Sequence, residues 1–303
     1  MALKNSENYQ YEKAVERNIG LCSEVEQALL QNAVIGIAGV GAVGDNNLIT
    51  LARMGTGDFK IADPNIFEEV NLQRHAGAFI SSLNRSKVEV MSAMVADINP
   101  SAEVELYSEG INEKNIDSFL AGVDVVLDGI DAFQIGPRRL LYKKAREKGV
   151  YVIFSGPIAY GATLQIFDPR GMSFEKYFSI RDEMSRAEQI AVFLLGIAPK
   201  LLTKNKMDES RIDFEKEKGP ALASTVALST GVVTSALLKI LLNREPPKCI
   251  PHAFYLDPYH WNFVHTNRRP LRFRWLQKFV INLCFKRFPS LKRLHLSESL
   301  NKL

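Results

Sequence analysis

Apolar positions along this 303-residue chain fall into two alternating patterns. Unbroken apolar runs such as Val34-Ile35-Gly36-Ile37-Ala38 and Val150-Tyr151-Val152-Ile153-Phe154 read as fully buried strands. Phe59-Lys60-Ile61-Ala62 and Ala162-Thr163-Leu164-Gln165-Ile166-Phe167 read the same way, and residues 253–257 predict a late edge strand. Between the runs, Leu48, Leu51 and Ala52 repeat at helical spacing over residues 46–54. Residues 24–31 predict a short helix before the first strand, and residues 139–146 a helix with a basic face. The longest apolar stretch, 222–242, is interrupted by Ser224, Thr225, Ser229, Thr230, Thr234, Ser235 and Lys239. That pattern predicts a buried helix rather than a membrane span. Strands alternating with helices in this way predict an α/β fold with a doubly wound, Rossmann-like, mainly parallel sheet.

The first of these strands is followed by Gly39, Gly41 and Gly44 at G-x-G-x-x-G spacing, then by the helix, the second strand and Asp63, nineteen residues after Gly44. Each part suits nucleotide binding. The glycines allow a tight turn and close approach of phosphates to backbone N–H groups. The helix N-terminus favours an anion, and the acid at the strand end accepts hydrogen bonds from ribose hydroxyls. The motif leaves the nucleotide open, because Asp63 suits NAD as well as ATP.

Composition is that of an ordinary globular protein, with 46% hydrophobic and 24% charged residues. Cys22, Cys249 and Cys284 lie far apart and form no CxxC pair, which argues against a zinc ribbon or a disulfide framework and suits a reducing cytoplasm. The opening residues have no signal-peptide core, so a cytoplasmic protein without a transmembrane segment is expected. His252, His260, His265 and Asp257 match no compact metal-ligand spacing. Net charge is unevenly placed. Residues 266–303 carry ten Lys or Arg against Glu298 alone, a tail of +9 on a body of −5. Such a tail serves as a docking arm for an acidic partner, as an RNA or membrane contact, or as a segment packed on the body.

Several later elements complete a family pattern. Gly39 to Gly44, Asp63, Asn71-Leu72-Gln73-Arg74, Asn84-Arg85-Ser86-Lys87, Ile98-Asn99-Pro100 and Asp124-Val125-Val126-Leu127-Asp128-Gly129-Ile130-Asp131 occur in order. Together they resemble the ThiF/MoeB/HesA family, bacterial relatives of the ubiquitin-activating E1 enzymes. The likeness is good over about residues 15–170 and looser to about 258. It implies ATP- and Mg²⁺-dependent activation of a carboxylate as an acyl-adenylate, with release of pyrophosphate. Arg74 and Lys87 then meet phosphate charge, Asp131 holds Mg²⁺, and Asp63 binds ribose. Asn71 either contacts the nucleotide or caps a turn. Asp128 either faces the crevice or satisfies a loop. Arg17 matches an arginine that reaches across a dimer into the partner's ATP site.

The chain also departs from the family pattern. Asp45 stands where a small residue is usual, Asn65 replaces a second acid, His75 a glutamine, Ala132 an asparagine, and Asn84 the glycine of G-x-x-K. The zinc CxxC pairs and a central nucleophilic cysteine are missing, so a thioester step is not expected. The expectation is therefore an E1/ThiF-like adenylation domain over residues 1–265, with antiparallel strands added after about residue 160 and a basic extension over 266–303. It would act as a homodimer on a peptide or a ubiquitin-like or sulfur-carrier-like protein. The alternatives are a tRNA threonylcarbamoyl-adenosine dehydratase and a non-catalytic partner subunit.

Overall fold

The computed structural model describes residues 8–197, 206–267, 270–271 and 273–300. Helices α1 (Tyr11–Val15) and α2 (Glu24–Gln31) precede β1 (Val34–Ala38), α3 (Ala42–Arg53) and β2 (Asp58–Ala62). Next come α4 (Lys87–Ile98), β3 (Val104–Tyr107), α5 (Ile116–Phe119), β4 (Val125–Asp128), α6 (Ile135–Glu147) and β5 (Tyr151–Phe154). The second half holds β6 (Pro157–Ile158), β7 (Gly161–Phe167), α7 (Phe174–Phe178), α8 (Arg186–Ile197) and α9 (Ala223–Leu241). It closes with β8 (His252–Asp257), β9 (Asn262–Asn267), α10 (Arg274–Arg287) and α11 (Pro289–Leu300).

These strands form one sheet in the order β3-β2-β1-β4-β5-β7-β8-β9, with β6 beside β7. The first five in that order are parallel, and β7, β8 and β9 are antiparallel to their neighbours. The strand expected at the edge, residues 253–257, is interior: β9 pairs along all of β8, and β9 is the edge. From β1 the chain moves outward to β2 and β3, then returns to β4 on the other side of β1. Ligands in such sheets bind where the order reverses, at the carboxyl ends of those two strands.

Strand alternation builds two cores. Ile35, Ile37, Val125, Leu127 and Ile153 point to one face, against Leu48 and Leu51 of α3, Met91 of α4 and Leu237 of α9. Val126, Val152 and Phe154 point to the other, against Leu141 of α6 and Phe193 of α8. Helix α9, the long apolar stretch, is the one helix among the described residues with the length and hydropathy of a membrane span. It packs on α3 and β7, with Val233 and Leu237 in the core.

The basic tail packs on the body. Helices α10 and α11 form a hairpin against α8, and Ile281, Cys284, Phe285 and Leu291 join the second core. Three of its arginines meet glutamates of the body: Arg274 bonds Glu183 at 2.5 Å, Arg293 bonds Glu215 at 2.9 Å, and Arg287 forks onto Glu209. Arg268, Arg269, Arg272 and Lys302 lie outside the described residues. Because Leu291 is fully buried, Leu291→Ala should destabilise the whole protein by about 2–4 kcal/mol. A single urea transition at a lower midpoint is the expected result, without a separate early phase for the tail.

Candidate nucleotide and catalytic site

The glycine turn is built by close backbone packing. Gly39 has φ +90°, and a Cβ there would lie 2.4 Å from the Gly129 carbonyl oxygen at the end of β4. At Gly44 a Cβ would lie 2.0 Å from the Gly39 carbonyl oxygen. These two glycines let the loops after β1 and β4 touch. Gly41 is different, since its Cβ would meet nothing nearer than 3.6 Å. No protein contact requires its bareness, which leaves the backbone there open to a ligand. Asp63 stabilises the turn directly: Oδ2 accepts the Val40 N–H at 2.8 Å, and Oδ1 accepts both Asn65 donors at 2.9 Å. A carboxylate accepts about four hydrogen bonds, so capacity remains for a sugar hydroxyl.

The Asn71-Leu72-Gln73-Arg74 segment lies beside this turn. Asn71 Oδ1 accepts the Glu68 N–H at 2.9 Å, so the side-chain oxygen caps a short 3₁₀ turn. Arg74 donates from Nη1 to the Val70 carbonyl at 2.9 Å and makes no ion pair with any described carboxylate. Its own carbonyl accepts from Asn46 Nδ2 at 3.2 Å, which ties the segment to the first turn of α3. A short ladder then sets the position of Lys87. Phe67 N–H donates to the Arg85 carbonyl, Asn84 N–H to the Phe67 carbonyl, and Lys87 N–H to the Asn65 carbonyl, at 3.0, 2.9 and 3.1 Å. Asn84, which replaces the family's glycine, holds φ +63°. Asparagine is among the residues that tolerate this left-handed conformation, so the turn survives the substitution. Lys87 is 8% exposed, with Nζ 5.9 Å from the Phe67 ring centroid. Among the described residues no carboxylate lies within ion-pair distance of it.

Two departures from the family pattern explain each other. Asp45 and His75 are both buried, and His75 Nδ1 lies 2.9 Å from Asp45 Oδ2. The approach is off the ring N–H direction, making it a close polar contact rather than an aligned hydrogen bond. Burial pushes the Asp45 carboxyl above its usual range, while His75 and the Asn46 amide, 2.9 Å away, oppose the rise. The carboxylate therefore engages His75 beneath the turn.

Asp128 is a loop anchor. It is 3% exposed and accepts from Arg138 Nε at 2.7 Å, Tyr142 OH at 2.9 Å and the Ile130 N–H at 3.0 Å. Arg138, fully buried, also donates to the Ile130 and Asp131 carbonyls and lies over the rings of Phe193 and Phe154. This network holds the loop that presents Asp131. Asp131 Oδ1 accepts the Phe133 N–H at 3.0 Å, and Oδ2 has no partner among the described residues. Solvent reaches Asp131 from one side, yet crowding by protein pushes its carboxyl upward. Glu217 adds to that rise, while the Phe133 N–H, Arg138 and Lys87 oppose it.

The structure thus brings the glycine turn, Asp63, Asn71, Arg74, Lys87 and Asp131 to one edge of the sheet, and it does not bring Arg17 there. Arg17 is exposed, and the neighbouring Asn18 bonds the Met54 carbonyl beyond the C-terminal end of α3. A 12-residue helix separates that point from Gly41, roughly 18 Å of rise. Sequence reasoning missed Arg138, Gly129 and the Asp45–His75 pairing. Arg138 left a weak signal, a cation ten residues beyond an acid at a strand end. The pairing left a better one, two departures near one loop with opposite charge tendencies.

A doubly wound, mainly parallel sheet with a glycine turn at its switch point defines an α/β protein of Rossmann-like architecture. The ThiF family model matches residues 15–272, and the chain belongs to that family. It is 34% identical over 103 residues to the tRNA threonylcarbamoyladenosine dehydratase of Bacillus subtilis, covering 34% of this chain and 41% of that protein. It is 27% identical over 177 residues to the SAMP-activating enzyme E1 of Haloferax volcanii, covering 58% and 64%. The chain thus spans less than two thirds of these relatives. In fold it is similar to E. coli MccB crystallised with ATP, with a TM-score of 0.63, 17% identity and coverage of 89% and 73%. It is also similar to E. coli TcdA, a tRNA N6-threonylcarbamoyladenosine dehydratase, with a TM-score of 0.58, 18% identity and coverage of 80% and 98%.

Removing one member of the Asp45–His75 pair should be worse than removing both. Asp45→Ala or His75→Gln alone is expected to cost on the order of 3 kcal/mol, because a buried polar group loses its partner. The double variant should recover part of this, with a coupling energy of about 1–3 kcal/mol in a denaturation cycle.

Proposed function

We propose that the protein binds ATP with Mg²⁺ and activates a carboxylate as an acyl-adenylate, releasing pyrophosphate. The observation that carries this reading is Lys87, a buried ammonium without a described counter-ion beside an open glycine turn. An unpaired buried charge is costly, and a bound phosphate would complete it. Attack of a carboxylate oxygen on the α-phosphorus builds charge on the non-bridging oxygens and on the departing pyrophosphate. Lys87 supplies a point charge there, and Arg74 supplies a planar fork free of carboxylates. Asp63 receives a ribose hydroxyl, and the turn at Gly41 offers backbone N–H groups.

The donor set also fits Mg²⁺. No group of three metal-ligating side chains exists among the described residues, but Mg²⁺ is commonly held by one or two carboxylates together with substrate phosphates and waters. Asp131, with Oδ2 unengaged, is that carboxylate. When bound, the ion would neutralise phosphate charge. Cys249 and Cys284 have thiols pushed by burial to about 11, which speaks against either as a nucleophile. We assign the acyl substrate to the C-terminus of a peptide or small carrier protein and the assembly to a homodimer, in which Arg17 would serve the partner's site. A second reading, threonylcarbamoyl-adenosine dehydration on tRNA, draws on the dehydratase relatives. In the tail Arg274, Arg287 and Arg293 are already paired, while Lys278, Lys286 and Lys292 make no ion pair among the described residues. Steeply salt-dependent tRNA binding would favour that reading.

ATP·Mg²⁺ should raise the melting temperature and NAD⁺ should not, with the ATP shift reduced in Asp131→Ala. A shift with NAD⁺ alone would overturn the reading. Lys87→Ala should lower pyrophosphate release by about two to three orders of magnitude. An undiminished rate would remove Lys87 from the chemistry. Crowding by protein disfavours the ionised form of Asp131 and raises its carboxyl, so that form is lost sooner as pH falls. ATP·Mg²⁺ affinity should therefore weaken on acidification, and Asp131→Asn should remove this component.

A further inference from the structure

Next to Asp131 lies a second constellation that the adenylation residues do not include. Residues 213–218 form a tight turn, closed by reciprocal backbone hydrogen bonds between Asp213 and Lys218 at 2.8 and 2.9 Å. Glu217, within that turn, holds φ +52°, a conformation that residues with a side chain adopt rarely. Its carboxylate is gripped from two directions. Gln134 Nε2 donates to Oε2 at 2.7 Å, and Arg186 Nη2 donates to Oε1. Arg186 also donates to the Phe133 carbonyl at 3.2 Å, and the Gln134 N–H donates to the Asp131 carbonyl at 2.9 Å. Both donors are therefore fixed to the loop that carries Asp131.

The strap bearing Glu217, residues 209–217, is held from behind by the basic hairpin. Arg287 pairs with Glu209, Ser290 Oγ donates to the Ile212 carbonyl at 3.0 Å, and Arg293 pairs with Glu215 at 2.9 Å. The buried Phe214 ring sits edge-on to Phe133 and Phe288, with centroids 5.5 Å away in each case. Anchoring stops short of Glu217 itself. Its side chain is 33% exposed and that of Arg186 39%, so solvent and a soluble ligand reach the contact.

We propose that Arg186 and Gln134 are the receptor for the substrate's carboxylate, and that Glu217 occupies this receptor as an internal stand-in until that carboxylate displaces it. The inference rests on the adenylation reading for what happens next, but not for the binding itself. Guanidinium and amide donors converging on the two oxygens of a carboxylate are the chemistry a C-terminal carboxylate needs. The receptor adjoins Asp131, where a carboxylate would have to meet the nucleotide. Were the contact only a surface ion pair, its removal would leave ligand affinity unchanged.

The test uses the full chain and a defined probe, N-acetyl-alanyl-alanine with a free carboxylate, beside its C-terminal amide. Binding is measured by calorimetry and by amide chemical shifts, with and without ATP·Mg²⁺. Glu217→Gly removes the carboxylate and suits the positive φ, so the fold is kept. The stand-in holding the receptor about nine-tenths of the time predicts roughly tenfold tighter binding of the free acid in Glu217→Gly. The amide should not gain, and Glu217→Gly/Arg186→Ala should lose the gain. Equal affinity in wild type and Glu217→Gly, equal gain for the amide, or a gain surviving loss of Arg186 would each overturn the proposal. ATP·Mg²⁺ binding is read separately. Its absence in wild type would sink the adenylation reading while leaving the carboxylate result standing.

Discussion

The site depends on one buried cation. Arg138 is removed from water, and its guanidinium joins the end of β4, the turn after it, α6, and the rings of Phe154 and Phe193. A buried ion pair contributes little net stability, because desolvation offsets much of the attraction. What it does provide is a fixed geometry. Two carbonyls of the Asp128–Asp131 loop and the Asp128 carboxylate accept from the same group, so the loop has few alternative positions. Gly129, on that loop, packs against Gly39, and Asp131, at its end, faces the cleft. The glycine turn and the strand-end acid are therefore one mechanical unit, although 92 residues separate Gly39 from Asp131.

Substitutions in family motifs divide according to the physics they must satisfy. Asn84 replaces a glycine and still takes φ +63°. Asp45 and His75 each look foreign beside a phosphate site, yet they meet each other below it. Asn65 replaces an acid and becomes a partner of Asp63. None of the four takes away Arg74, Lys87 or Asp131.

Much of the central sheet was legible in the sequence because parallel strands buried on both faces read as unbroken apolar runs. The glycine spacing fixed where β1 ends and α3 begins. Residues 253–257 read as an edge, and the following segment, Asn262–Asn267, has no strand-length apolar run, its apolar residues being Phe263 and Val264. Its pairing comes from the β8 ladder rather than from its own apolarity. In the site, residues carried by local motifs were visible, including Gly39, Asp63, Arg74 and Lys87. Those defined by long-range contact were not. Arg138 looked like one more cation on a basic helix, and nothing in the sequence placed Glu217 beside Gln134 and Arg186. The tail's charge was plain, but its acidic partner turned out to be residues Glu183, Glu209 and Glu215 of the same chain.

The anchoring of the strap has a further implication for synthesis. Its three contacts, Glu209 with Arg287, Ile212 with Ser290 and Glu215 with Arg293, all link residues 78 positions apart. The two segments therefore run in constant register, the later one always 78 residues behind the earlier. At common elongation rates, roughly 4–16 s pass between the strap and its anchors leaving the ribosome. Strands β1 to β5 and the glycine turn have every residue they need before that interval begins. The nascent chain thus holds every residue of the glycine turn and the parallel strands before the anchors of the strap have been made.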